Sequence, residues 1–94
     1  MYTYTDEETV SRISDIAPRA LSAYFICLHN SDESGKCRFN RNEIINEKVR
    51  SWTKFKNDIR QLAFMFLLNF HDLGHEILIE MIPQSDVGEY DNED

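Results

Sequence analysis

The sequence predicts an α+β, mainly helical domain that ends in a β-hairpin, and three observations predict it. Apolar residues recur at helical spacing: Trp52, Phe55, Ile59, Leu62 and Phe66 follow one another at steps of three, four, three and four, which puts them on one helix face. Polar residues suited to capping stand in front of the periodic stretches, Asn40 and Ser51 most clearly. The period then changes beyond Leu68: His75-Glu76-Ile77-Leu78-Ile79-Glu80-Met81-Ile82 has strand composition and follows the turn signal Asp72-Leu73-Gly74.

Three or four helices are expected ahead of the hairpin. Thr5-Asp6-Glu7-Glu8 has the Thr-x-x-Glu form of a capping box, in which hydroxyl and carboxylate each satisfy an orphan N–H. A short helix through Val10 and Ile13 follows. Asp15 is the expected cap of a second helix, with Pro18 in its first turn, where backbone N–H groups lack partners in any case. Leu21, Tyr24, Phe25 and Leu28 make its buried face, and the loop residues Ser31-Asp32-Glu33-Ser34-Gly35 end it near His29–Asn30.

Lys36-Cys37-Arg38-Phe39 reads as a short extended piece. Asn40 and Glu43 open a helix that turns Ile44, Ile45 and Val49 to the core. After a very short break Ser51 caps the next helix, a helix-turn-helix arrangement. Leu68-Asn69-Phe70-His71 is the hairpin partner of the strand after Gly74, and Pro83, unable to donate to a ladder, ends that strand.

Ninety-four residues, 41% hydrophobic with eleven aromatics, make one domain with a modest core, too apolar for a disordered chain at a net charge of −7. The domain is expected at residues 1–83, with an acidic, disordered tail at 84–94. The longest apolar run, Leu62 to Leu68, is too short to span a bilayer. The acidic opening residues lack the order of a signal peptide, so no membrane partner and a cytoplasmic location are expected. Cys27 and Cys37 have no metal spacing and are expected as reduced thiols, Cys27 in the core.

Charge is distributed unevenly. Residues 1–34 carry two Arg against six acids, residues 35–61 carry eight Lys or Arg against three acids, and residues 62–94 carry eight acids and no Lys or Arg. Because screening limits the field to about 10 Å at 0.1 M salt, the basic middle segment is judged by itself.

On these residues the chain resembles the winged helix-turn-helix superfamily. Arg41-Asn42-Glu43-Ile44-Ile45-Asn46-Glu47-Lys48 is similar to the first helix of the reading unit in such regulators. Ser51-Trp52-Thr53-Lys54-Phe55, followed by Ile59 and Leu62, looks like its recognition helix. The nearest flavour is the small regulators and replication initiators of plasmids and phages, and the likeness covers roughly residues 16–82. The chain departs from the pattern in three places. Val49-Arg50 stands where the turn usually has glycine, the hairpin "wing" has no Lys or Arg, and Ala63-Phe64-Met65-Phe66 replaces a charged helix end.

Opposite the apolar stripe, the helix after Ser51 shows Thr53, Lys54, Asn57, Arg60 and Gln61, with Lys56 flanking. Asn and Gln can pair bidentately with adenine and Arg with guanine, while Lys steers toward phosphate. Lys36, Arg38 and Arg41 are candidates for backbone phosphates. A solvated helix face shows the same residue types. Phe64, Met65 and Leu67 leave the helix end apolar on nearly every side, which implies burial under the hairpin or a homodimer interface.

His71 and His75 are four apart, but Gly74 argues against a shared helix face, and no metal or cofactor is expected. No nucleophile–base pair or glycine-rich phosphate loop has a suggestive spacing, so a non-enzyme is expected.

The resemblance implies a small regulator of transcription or replication on a mobile element, binding double-stranded DNA as a dimer. The alternative is an acidic protein, such as an immunity protein or inhibitor, that blocks a basic, nucleic-acid-binding enzyme or toxin. Asp72, Glu76, Glu80 and the acids of the tail would form its surface, unless they serve solubility alone.

Overall fold

The computed structural model describes residues 6–46 and 51–84, without the side chains of residues 45 and 46. It is an α+β fold. The helices α1 (Glu7–Ile16) and α2 (Leu21–Asn30) are joined by a 3-10 turn at Pro18–Ala20. Strand β1 (Lys36–Asn40), helices α3 (Arg41–Asn46) and α4 (Trp52–Phe64) and strands β2 (Leu68–Asp72) and β3 (Glu76–Met81) follow. The strands form one antiparallel sheet in the order β1-β3-β2, so the last strand lies between the other two.

Asp6, not Thr5, caps α1: its carboxylate accepts from the Thr9 amide at 2.9 Å and the Thr9 hydroxyl at 2.6 Å. Thr5 lies outside the described residues. Asp15 caps nothing but sits inside α1, whose end is set by Pro18. The residue before proline is driven out of the α region, and Ala17 accordingly has φ −142° and ψ 65°. Pro18 then starts a 3-10 turn that leads into α2 without a side-chain cap.

The core face that runs from the 3-10 turn along α2 is Ala20, Ala23, Tyr24, Cys27 and Leu28, all buried. Phe25, expected there, is 46% exposed. The large residues had suggested a stripe that the small ones carry: positions 20, 23, 24, 27 and 28 keep strict helical spacing, and Phe25 is a further 100° round. Ser31 ends the helix, its hydroxyl donating to the Cys27 carbonyl at 2.6 Å.

Asn40 and Glu43 form the reciprocal cap expected of them: the Glu43 amide donates to Asn40 Oδ1 at 2.9 Å, and the Asn40 amide to Glu43 Oε1 at 3.0 Å. Ile44 is buried. The side chain of Ile45, the residue Val49 and the Val49-Arg50 turn lie outside the described residues, as does the expected tail from residue 85. Ser51 caps α4 through the Lys54 amide at 3.1 Å.

Trp52, Phe55, Ile59 and Leu62 are buried as their spacing requires, and Phe55 packs edge-on to Phe39 with ring centroids 5.3 Å apart. Phe66 does not join them. The helix stops at Phe64 because Leu67 N–H donates to the Leu62 carbonyl at 3.1 Å and Phe66 N–H to the Ala63 carbonyl at 3.0 Å. This double closure puts the residue after the cap in the left-handed region, and Phe66 has φ 62° and is 79% exposed. Leu67, next along, turns back into the core beside Leu62.

Alternation in β3 sends Ile77, Ile79 and Met81 to the helices and Glu76, Leu78 and Glu80 to the other sheet face. The same outer face receives Lys36 and Arg38 from β1 and Asn69 and His71 from β2, by register. Among the described residues no helix is long and apolar enough to cross a membrane.

Candidate nucleic-acid interface

Helix α4 owes its orientation to its two ends. At the start, the Trp52 indole N–H donates to the Gly74 carbonyl at 2.8 Å, holding the hairpin turn against the first turn of the helix. The turn is held in place from the other side by the Arg41 amide, which donates to the His75 carbonyl at 2.9 Å. At the far end, an Arg12 guanidinium N–H reaches the Met65 carbonyl at 3.3 Å, tying α1 to the close of α4.

Thr53, Lys54, Asn57, Arg60 and Gln61 are all exposed, on the helix face turned away from the core. The sole carboxylate of α4, Asp58, is buried. Arg60 donates to Asn57 Oδ1 at 2.7 Å, which links the two side chains on the surface. A groove between the 3-10 turn and α4 runs beside this face, with Pro18, Arg19, Lys54, Asn57, Asp58 and Gln61 among its lining.

The remaining candidates divide. Arg41 stays near the start of α4, beside the hairpin turn. Lys36 and Arg38 point from the sheet face opposite the helices, and Arg38 meets Glu76 there at 3.5 Å. One flat contact cannot include these two and the exposed face of α4. Lys56 lies half-buried along the Trp52 ring, its ammonium 5.5 Å from the ring centroid, and pairs with Asp72 at 3.1 Å. Arg60 also reaches Asp72, at 3.5 Å.

Asp72 is the residue that sequence reasoning missed at this site. Its carboxylate accepts from the Gly74 amide at 2.8 Å and closes the hairpin turn. That backbone N–H, then the Lys56 ammonium, hold its pKa below the ordinary 3.8. Sequence alone groups Asp72 with the acidic surface, but it sits against basic residues 12 and 16 positions earlier. Arg12 and Arg19 were missed for the same reason, since only folding sets them beside α4.

The apolar end of α4 is in part exposed: Phe64 is 83% exposed and Met65 half-buried. Leu67, grouped with them as an interface residue, is fully buried. It fills the core as the closing residue of the helix end, and Phe66 takes its place on the surface. His71 lies on the outer sheet face and His75 in the turn, both exposed. Among the described residues no group of three or more His, Cys, Asp or Glu is placed to hold a metal ion.

Comparison of the chain with protein-family profiles, with curated proteins and with solved structures gave no match in any of the three.

Proposed function

We propose that this chain is a small winged-helix DNA-binding regulator that lays the exposed face of α4 in the major groove. The observation that carries the reading is that α4 itself presents no exposed carboxylate, Asp72 of β2 being the acid that reaches Arg60. The chain has 17 acidic residues, yet every exposed polar group on α4 is neutral or cationic. A solvated face with no other role would not need to exclude the commonest charge in the chain. The strand order β1-β3-β2 and the hairpin held beside the start of α4 suit a wing flanking a reading helix.

In this reading Lys54 and Arg41 meet phosphates, and Thr53, Asn57, Arg60 and Gln61 face base edges. Phe64 and Phe66 form the contact between two copies, which would set two reading helices on symmetric half-sites.

The test is a salt series of duplex-DNA binding with the native chain and a Lys54→Ala/Arg60→Ala double variant. Log affinity should fall by about 0.9 per log unit of salt for each phosphate neutralised, and the variant should bind more weakly with a shallower slope. Absence of binding at low salt, or equal binding by the variant, would sink the proposal. It would leave the second reading, a protein that blocks a basic partner through its acidic surface, of which Glu80 on the outer sheet face is exposed. Light scattering on Phe64→Glu tests the dimer: a mass that stays the same with the fold intact rules that contact out.

A further inference from the structure

Cys27 and Cys37 are ten positions apart in the sequence, on different elements, and nothing in their spacing marks them as a pair. The fold makes them one. In β1 the inward residues are Cys37 and Phe39, while Lys36 and Arg38 point out. Cys27 is a fully buried core residue of α2, and Cys37 packs against the same cluster.

The connection between them is held shut by Asp32. Its amide donates to the Lys36 carbonyl at 3.0 Å, and its carboxylate accepts from the Lys36 amide at 3.0 Å and the Ser34 amide at 2.9 Å. On the helix side, the Ser31 amide and hydroxyl both bond the Cys27 carbonyl, at 3.0 and 2.6 Å. These bonds fix the short connection that carries the chain from the last turn of α2 into β1.

The two thiols then differ in the way an attacking and a resolving thiol differ. Hydrogen bonding with Cys37, then burial, raises the Cys27 thiol well above its ordinary value. The same contact, helped by the Ser31 hydroxyl, lowers Cys37 against the opposing effects of partial burial and the Asp32 charge. Cys37 is also the half-buried one of the two, while Cys27 is buried.

We propose that Cys27 and Cys37 form a reversible dithiol–disulfide pair that locks the end of α2 to β1. The oxidant is a low-molecular-weight disulfide. The Cys37 thiolate attacks one sulfur of that disulfide, its S–S bond breaks, and one small thiol leaves. The Cys27 sulfur then attacks Cys37 in the mixed disulfide and expels the second small thiol. The two protons released by the cysteines end on the two small thiols. Two cysteine thiols have been oxidised and one external disulfide reduced. The proposal is independent of DNA binding.

The experiment uses the native chain and oxidised glutathione. After incubation, the chain is denatured, treated with a thiol alkylator and weighed intact. The expected product has lost two hydrogens and takes up no alkylator. Its thermal midpoint rises by about 10 °C, as closure of a short loop in a small domain implies, and dithiothreitol reverses both changes. Cys37→Ser should show neither. Two alkylated cysteines, a glutathione adduct persisting on Cys37, or a disulfide between two chains would each overturn the proposal. The native-chain measurement decides the matter even if the variant does not fold.

Discussion

The Trp52 indole N–H and the Gly74 carbonyl, 22 positions apart, meet at 2.8 Å and join the start of α4 to the hairpin turn. Neither residue is replaceable on its own terms. Trp52 supplies a donor at the rim of the aromatic cluster, and its ring stacks on Phe55 at 6.1 Å. Gly74 has φ 91°, a left-handed conformation that leaves its carbonyl free to accept. Trp52→Phe keeps an aromatic ring but removes the donor. It should lower stability by about 1–2 kcal/mol in urea unfolding, the usual effect of deleting one partner of a part-buried hydrogen bond. An unchanged midpoint would mean that water replaces the indole freely.

Asp72 is expected to restrain DNA binding while it builds the turn. Asp72→Asn keeps an acceptor for the Gly74 amide but removes the charge that Lys56 and Arg60 face. Affinity for duplex DNA should rise and its salt dependence should steepen by about one to two phosphate equivalents. The measurement is the slope of log affinity against log salt for the two chains. A slope that does not change would separate Lys56 and Arg60 from the contact.

Phe66 carries a conformational penalty that stability alone does not explain. A left-handed residue with a Cβ lies about 1–2 kcal/mol above its right-handed form, and glycine avoids this at the end of a helix. Phe66→Gly should raise the thermal midpoint by about 4–8 °C per kcal/mol recovered in a domain of this size. If Phe66 serves the contact between copies, the same variant should be more stable and less associated by light scattering.

Acid should unfold the domain from its turns and caps. Asp6, Asp32 and Asp72 all have folded pKa values below the ordinary 3.8. The largest cause is the hydrogen bond from the Thr9 hydroxyl, the Lys36 amide and the Gly74 amide respectively. For a lowered carboxylate the folded state holds fewer protons than the unfolded one. Its stabilisation is therefore complete above the unfolded value and is lost as pH falls below 3.8 through the folded values. Thermal midpoints should be level near neutrality and drop through that acid window. Replacing Asp32 by Asn should flatten the drop, because one of the three contributions is then absent at every pH.

The sequence by itself determined the elements. Asn40, Glu43 and Ser51 act on amides three residues away, and Trp52, Phe55, Ile59 and Leu62 recur at the helical period, so short-range geometry decided them. The hairpin was legible likewise, from strand composition on both sides of Asp72-Leu73-Gly74. Local pattern failed where size stood in for position: at Phe25 because the small residues Ala20 and Ala23 carry the buried stripe, and at Phe66 because the path of the chain at the close of α4 turns Leu67 inward instead. Only the tertiary structure decided the composition of the candidate surface. Which face of β1 carries Lys36 and Arg38 follows from pairing with β3, about forty positions on. That Asp72 meets Lys56 and Arg60, and that Cys27 meets Cys37, depends on how separate elements pack. Side-chain charges and thiols act over a few ångströms of space, and spacing along the chain does not encode that distance.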